Sequence, residues 1–201
     1  MCTLIIRWHP GDVWPLIIGG NRDEMKTRQS KPPGRHWPDR PEIIAGIDET
    51  AGGSWLGVNE FGVVAAILNR SNSLGPKQGK RSRGELVLEA LDHADASDAA
   101  EAITNINEKA YRSFNMILAD NRDAFWLKHT ETDNIALHII PEGISMITAD
   151  DLNDIKSPRI AKYLKRIRKA SIPNPGINDW DAWQKVLADQ SEHIDGNPLT
   201  S

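Results

Sequence analysis

What most constrains this chain is the way its short apolar runs are grouped. Residues 2–8 and 14–21 are β-branched and apolar and flank a Pro10-Gly11-Asp12 turn, which predicts a hairpin of two strands. Runs at 42–47, 54–58 and 62–68, separated by Gly52-Gly53 and Asn59-Glu60-Phe61-Gly62, continue as an antiparallel meander. Between hairpin and meander, residues 26–40 carry Pro32, Pro33, Gly34 and Pro38 and read as a long loop that covers something. Residues 71–80, rich in Gly, Ser and Lys, read as a mobile loop. Then the period changes. Leu86, Val87, Ala90 and Leu91 recur at helical spacing behind Ser82, with Glu85 three residues past that cap. Ala100, Ile103 and Ile106 mark a second helix over 97–109, capped by Ser97. Further strands are predicted at 114–119, 124–129, 135–140 and 143–148, then a basic amphipathic helix at 158–170 and a short one at 180–189. The order strands, two helices, strands, two helices favours α+β layers over an alternating parallel fold, with sheet packed on sheet and helices outside.

At 201 residues the chain suits a single domain, 1–201, long enough to bury a proper core. Asp and Glu outnumber Lys and Arg by 28 to 24, a net charge of −4, which argues against nucleic acid as a partner and against a protein held on anionic lipid by bulk charge. No apolar run approaches the roughly 20 residues of a bilayer-crossing helix. The start, Met1-Cys2-Thr3-Leu4-Ile5-Ile6-Arg7, lacks the basic region and long apolar stretch of a secretory signal. The expectation is a cytoplasmic protein with no integral membrane association and a small-molecule ligand or substrate. The six His residues lack metal-ligand spacing, so no metal site is expected. Trp is unusually frequent, seven against three Phe and two Tyr, which fits either a core that uses Trp or a stacking surface or cleft.

Cys2 is the only cysteine, so no intrachain disulfide forms and its thiol is explained by reactivity or by packing. Removal of Met1 would put a thiol and a free α-amine on one residue. With a reference pKa of about 7.7–8.0, that amine is partly neutral near pH 7 and can take the thiol proton. Nucleophile and base then come from a single residue. Asn21 and Asp23 alternate on one face of a strand end beside the first strand, where a carboxylate would orient the amine. Arg22 stands between them as a cation at the same corner. Asn69, at the end of the 62–68 strand, offers an amide donor for an oxyanion.

Several segments carry a further signal in order along the chain. They are Met1-Cys2-Thr3-Leu4, Gly19-Gly20-Asn21-Arg22-Asp23-Glu24, Gly52-Gly53-Ser54-Trp55-Leu56-Gly57, Ala65-Ala66-Ile67-Leu68-Asn69-Arg70, Ser82-Arg83-Gly84-Glu85-Leu86 and Phe114-Asn115. Together they resemble the NRDE family, also called the transport and Golgi organisation 2 (TANGO2) family, from residue 1 to about residue 160. The resemblance implies a four-layer αββα sandwich of the N-terminal nucleophile (Ntn) hydrolase type, with Cys2 as candidate nucleophile. More distantly the chain is similar to cysteine Ntn amidases such as penicillin V acylases and bile salt hydrolases. In those, a cysteine after Met, an Asn-x-Asp strand end and a later strand-end Asn assemble the site, and Cys2, Asn21, Asp23 and Asn69 match these positions. Two departures stand out: Gly20 occupies the place of the arginine that usually precedes Asn-x-Asp, and Thr148-Ala149-Asp150 stands where relatives have Ser-Asn or Thr-Asn. The implied activity is hydrolysis of an amide or thioester of a small acyl metabolite, with no cofactor required. The alternative carried by the resemblance is a carrier that binds heme or an acyl-CoA-like lipid metabolite in the same cleft without cleaving it.

Overall fold

The computed structural model describes residues 2–24 and 27–189. β1 (Thr3–Trp8) lies between β2 (Leu16–Asn21) and β10 (Gly143–Ile147) in a three-stranded antiparallel sheet. A seven-stranded antiparallel sheet runs in sequence order through β3 (Ser30–Gly34), β4 (Ile43–Asp48), β5 (Leu56–Asn59), β6 (Val64–Asn69), β7 (Phe114–Ala119), β8 (Ala124–His129) and β9 (Ala136–Ile139). α1 (Gly84–Leu91) and α2 (Ala96–Thr104) cover the outer face of the large sheet, and α3 (Pro158–Lys169) and α4 (Asp181–Leu187) that of the small one. The layers are αββα, as the sequence patterning led one to expect.

Side-chain alternation in β1 shows how the layers are glued. Leu4, Ile6 and Trp8 enter the core between the sheets, with Leu68, Ile117 and Trp126, while Ile5 joins Met146, Leu164 and Trp183 beneath α3 and α4. A strand buried on both faces reads as a near-continuous apolar run, and all of residues 3–8 are buried, the charged Arg7 included.

The structure departs from the sequence expectations in four places. α1 begins at Gly84 with Arg83, not Ser82, at its N-cap, and Glu85 accepts from the Tyr111 hydroxyl. The proline-rich stretch contains β3, an edge strand; Pro32 and Pro33 are tolerated because an edge strand needs only half of its ladder donors, and its register with β4 shifts between Lys31 and Gly34. The second helix starts at Ala96 and ends at Thr104, and its first amide is held by Asp120 Oδ2 at 2.9 Å rather than by Ser97. The 71–80 loop is anchored: Arg83 Nη1 donates to the carbonyls of Ser73 and Ser113, both at 2.8 Å, and Arg112 Nη2 to that of Asn72 at 2.8 Å. Arg83 pays for this role with desolvation and the nearby charge of Arg112, which together pull its guanidinium down to about 10.

Candidate active site

Cys2 directly precedes β1 and follows the parity of Leu4 and Ile6, so its half-buried side chain packs at the margin of the intersheet core, as Leu56 and Leu152 do. Its Sγ donates to the main-chain oxygen of Asp23 at 3.7 Å. Because Thr3 pairs with Asn21, the residue opposite Cys2 on the next strand is Arg22. The Arg22 guanidinium carbon stands 4.2 Å from the centroid of the Trp55 ring, a cation–π contact. Trp55 in turn rests on Gly46 of β4, where a Cβ would come within 2.5 Å of the indole; glycine is what seats this ring. Burial, helped by the Asp23 carboxylate, pushes the Cys2 thiol above its ordinary value, and the Asp23 main-chain oxygen and the Arg22 charge offset only part of that rise. The thiol is therefore neutral near pH 7 and needs a base.

The other residues singled out in the sequence are separated by the same alternation. Asn21, level with Thr3, faces outward, and its Nδ2 donates to the Leu187 carbonyl of α4 at 2.7 Å. The Asp23 carboxylate lies 3.6 Å from Arg159 Nη1, which also donates to Thr3 Oγ1 at 3.2 Å. Both side chains brace the corner from the helix side. What bonds to Cys2 is the main-chain oxygen of Asp23, while the charges of the Asp23 carboxylate and of Arg22 act on the thiol in opposite directions. Asn69 ends β6 opposite Phe114, and alternation gives it the face of Ala65 and Ile67, which pack beneath α1.

One polar cluster near the site escaped the sequence reading. Asn115, fully buried in β7, uses its whole carboxamide. Oδ1 accepts from Arg70 Nη1 at 2.6 Å and Trp126 Nε1 at 3.1 Å, and Nδ2 donates to the carbonyls of Thr148 at 3.1 Å and Asp150 at 2.8 Å. Arg70 and Lys128 then grip Asp151, each at 2.7 Å. Burial alone would raise the Asp151 carboxyl, but these two cations outweigh it and hold it below the usual range. The cluster stitches the segment after β10, including Leu152 at the margin of the intersheet core, to the large sheet. The signal available in the sequence was a lone Asn inside the apolar run Phe114-Asn115-Met116-Ile117-Leu118.

Leu56 also borders a cavity of about 290 Å³, lined by Leu16 and Ile18 of β2 and by Ile44, Val58 and Val64 of the large sheet. It exists because the small sheet stops at β2 while the large one continues through β5, β4 and β3, leaving apolar inner face uncovered. Pro33 of the proline-rich stretch forms part of its rim. A larger hollow of about 580 Å³, bordered by Arg40, Arg81, Glu85 and Tyr111, lies on the α1 side of the large sheet, away from Cys2. Among the described residues, no group of three His, Cys, Asp or Glu could hold a metal ion. No helix among them is long and apolar enough to cross a membrane.

The family model described as Transport and Golgi organisation 2 matches residues 1–192. The chain belongs to this family. The mouse Transport and Golgi organization 2 homolog is 34% identical over 131 residues, and the human Transport and Golgi organization protein 2 homolog 33% over 129. Each match takes in 60% of this chain and 45% of the relative, so the chain spans about half the length of the curated relatives it matches. Among solved structures, a Caenorhabditis elegans ortholog of N-acylethanolamine-hydrolyzing acid amidase superposes with a TM-score of 0.70 at 12% identity, over 96% of this chain and 88% of that one. The C2A mutant of the conjugated bile acid hydrolase from Clostridium perfringens gives 0.50 at 14% identity, over 82% and 57%. This Transport and Golgi organisation 2 family member thus has the Ntn hydrolase fold; at such identities the likeness is one of fold.

Proposed function

We propose that the protein is a cysteine hydrolase of the Ntn type, acting on an amide or thioester of a small acyl metabolite. The observation that carries this reading is the meeting of the only thiol with the 21–24 corner, at the margin of an intersheet core whose edge residues Leu16, Ile18 and Leu56 also line an apolar cavity. In this scheme Met1 is removed and the α-amine of Cys2 takes the thiol proton. The sulfur adds to the carbonyl carbon, forming an S–C bond and an oxyanion. Collapse of that intermediate breaks the C–N or C–S bond of the substrate, and the ammonium returns its proton to the leaving group. Water then attacks the acyl-enzyme with the amine as base, releasing the acid and restoring the thiol.

Arg22, fixed on Trp55, is the cation that favours the thiolate and balances the oxyanion. Asn21, through Leu187, and Asp23, through Arg159, are positioning residues that hold the corner in register. Asn69 sits on the other face of β6, so the remaining oxyanion donor in this scheme is a main-chain N–H. The acyl chain fits the cavity, where each buried methylene contributes about 0.8 kcal/mol.

The test is iodoacetamide labelling and turnover of a panel of acyl amides and thioesters by protein lacking Met1. Labelling no faster than that of a free cysteine, with turnover undiminished in Cys2→Ala, would remove the reading. The raised thiol and the apolar cavity also support a carrier that holds acyl-CoA or heme without cleavage. Saturable binding of either ligand by Cys2→Ala, with no turnover by the unaltered protein, would favour the carrier.

A further inference from the structure

β1 runs from Cys2 at one end of the sandwich to Trp8 at the other, and the far end has its own character. Two turns flank the mouth of the apolar cavity there. The β1–β2 turn, residues 9–15, ends at Leu16, and the β5–β6 turn, residues 60–63, joins the paired Val58 and Val64; all three of these residues line the cavity. On these turns Val13 is 86%, Phe61 64% and Trp14 45% exposed. They are held out rigidly. Arg7, itself buried, donates to the Trp14 carbonyl at 3.0 Å and pairs with Asp12, and His9 N donates to the Pro15 carbonyl at 2.8 Å. Buried Asn59 accepts the Phe61 and Val63 amides on Oδ1 at 3.1 and 3.0 Å. A rigid turn that presents large apolar side chains to water has no folding reason to do so.

Cations sit at the same end. α3 begins near Cys2, where Arg159 meets Thr3, and finishes where Arg168 Nε and Nη2 donate to the Ile144 carbonyl at 3.1 and 3.0 Å; Ile144 pairs with Arg7. Lys165, Arg168 and Lys169 on its last turns have no carboxylate partner among the described residues. Apolar turn tips with an indole, flanked by cations that have no carboxylate partner among the described residues, match the layered chemistry of a lipid surface, with an aromatic at the headgroup level and basic groups against anionic heads. A second copy docked across a two-fold would set these cations against each other.

We propose that this end of the sandwich docks peripherally on an anionic lipid surface through Val13, Trp14 and Phe61, with the last turns of α3 facing the headgroups. The contact leaves the cavity mouth open to the hydrocarbon layer. It is independent of whether Cys2 cleaves a substrate.

Co-sedimentation of the full chain with vesicles of pure phosphatidylcholine, and with vesicles containing about 30% phosphatidylserine, tests this directly. The unaltered protein should bind the phosphatidylserine vesicles at least about tenfold more tightly, with the preference shrinking in high salt. Trp14→Ser with Phe61→Ser should lose about tenfold or more on both vesicles at unchanged thermal midpoint, because both side chains are exposed. Lys165→Glu with Lys169→Glu should erase the preference for phosphatidylserine. Absence of vesicle binding by the unaltered protein, equal binding by the Trp14 and Phe61 variant, or self-association of the chain that those two substitutions abolish would overturn the proposal.

Discussion

The Asn115 cluster and the Cys2 corner both lie at the intersheet layer, yet they are built to opposite ends. Asn115 is fully buried and spends every donor and acceptor, so nothing remains for a ligand. Cys2 is half-buried, holds one long contact to a main-chain oxygen, and lies at the same corner as a cation stacked on an indole. Saturated polar clusters rigidify; a group with unused capacity is where chemistry can be added. The contrast teaches that the first cluster should answer in stability and the second in reactivity.

The largest effect expected is on turnover. Cys2→Ala should lower hydrolysis of the best acyl substrate by about a thousandfold or more while leaving the urea midpoint nearly unchanged, measured by steady-state kinetics beside denaturation. Equal loss in both would erase the contrast. Asn115→Leu should do the reverse: stranding the Arg70 guanidinium, the Trp126 N–H and two carbonyls should cost about 3 kcal/mol or more in urea unfolding. Asp151→Asn is the milder form, about 1–2 kcal/mol, because Arg70 and Lys128 keep some access to water.

Arg22→Leu separates charge from packing at the corner. With the cation gone the thiol should rise further, so the midpoint of the alkylation rate against pH should move upward and labelling at pH 7 slow several-fold. The smallest effect concerns a group outside both clusters. His129 is buried on the α1 side against Phe114, neither ring nitrogen makes a hydrogen bond, and burial lowers its pKa more than the nearby Tyr111 main chain restores it. Between the unfolded value near 6.5 and the lower folded one, the unfolded chain binds more protons, so stability should fall as pH drops through that window. His129→Phe should flatten the fall, by about 1 kcal/mol between pH 7 and 5, in urea titrations at several pH values.

Much of the fold was legible because it rests on local patterning. The largely apolar run of β1, the meander of β4 to β6 and the amphipathic helix α1 each follow from periodicity. β3 was hidden because its prolines forbid a central strand but not an edge. The site was legible in part. Cys2 and the 21–24 corner do meet, but which side chains of the corner face the thiol depends on register, and Thr3 opposite Asn21 turns Asn21 outward and Arg22 inward. A one-residue register choice cannot be read from composition. Asn115 was visible as an anomaly in an apolar strand, whereas its clamp on Asp151 by way of Arg70 joins residues 81 apart and is visible only in three dimensions.

The central claim is that Cys2 carries the acyl group, and intact mass spectrometry tests it most directly. Protein lacking Met1, mixed with an excess of a reactive acyl thioester and quenched in acid within the first turnover, should gain the mass of one acyl group on residue 2, and the adduct should decay as substrate is exhausted. Turnover without any adduct, or an adduct that forms equally in Cys2→Ala, would contradict the account.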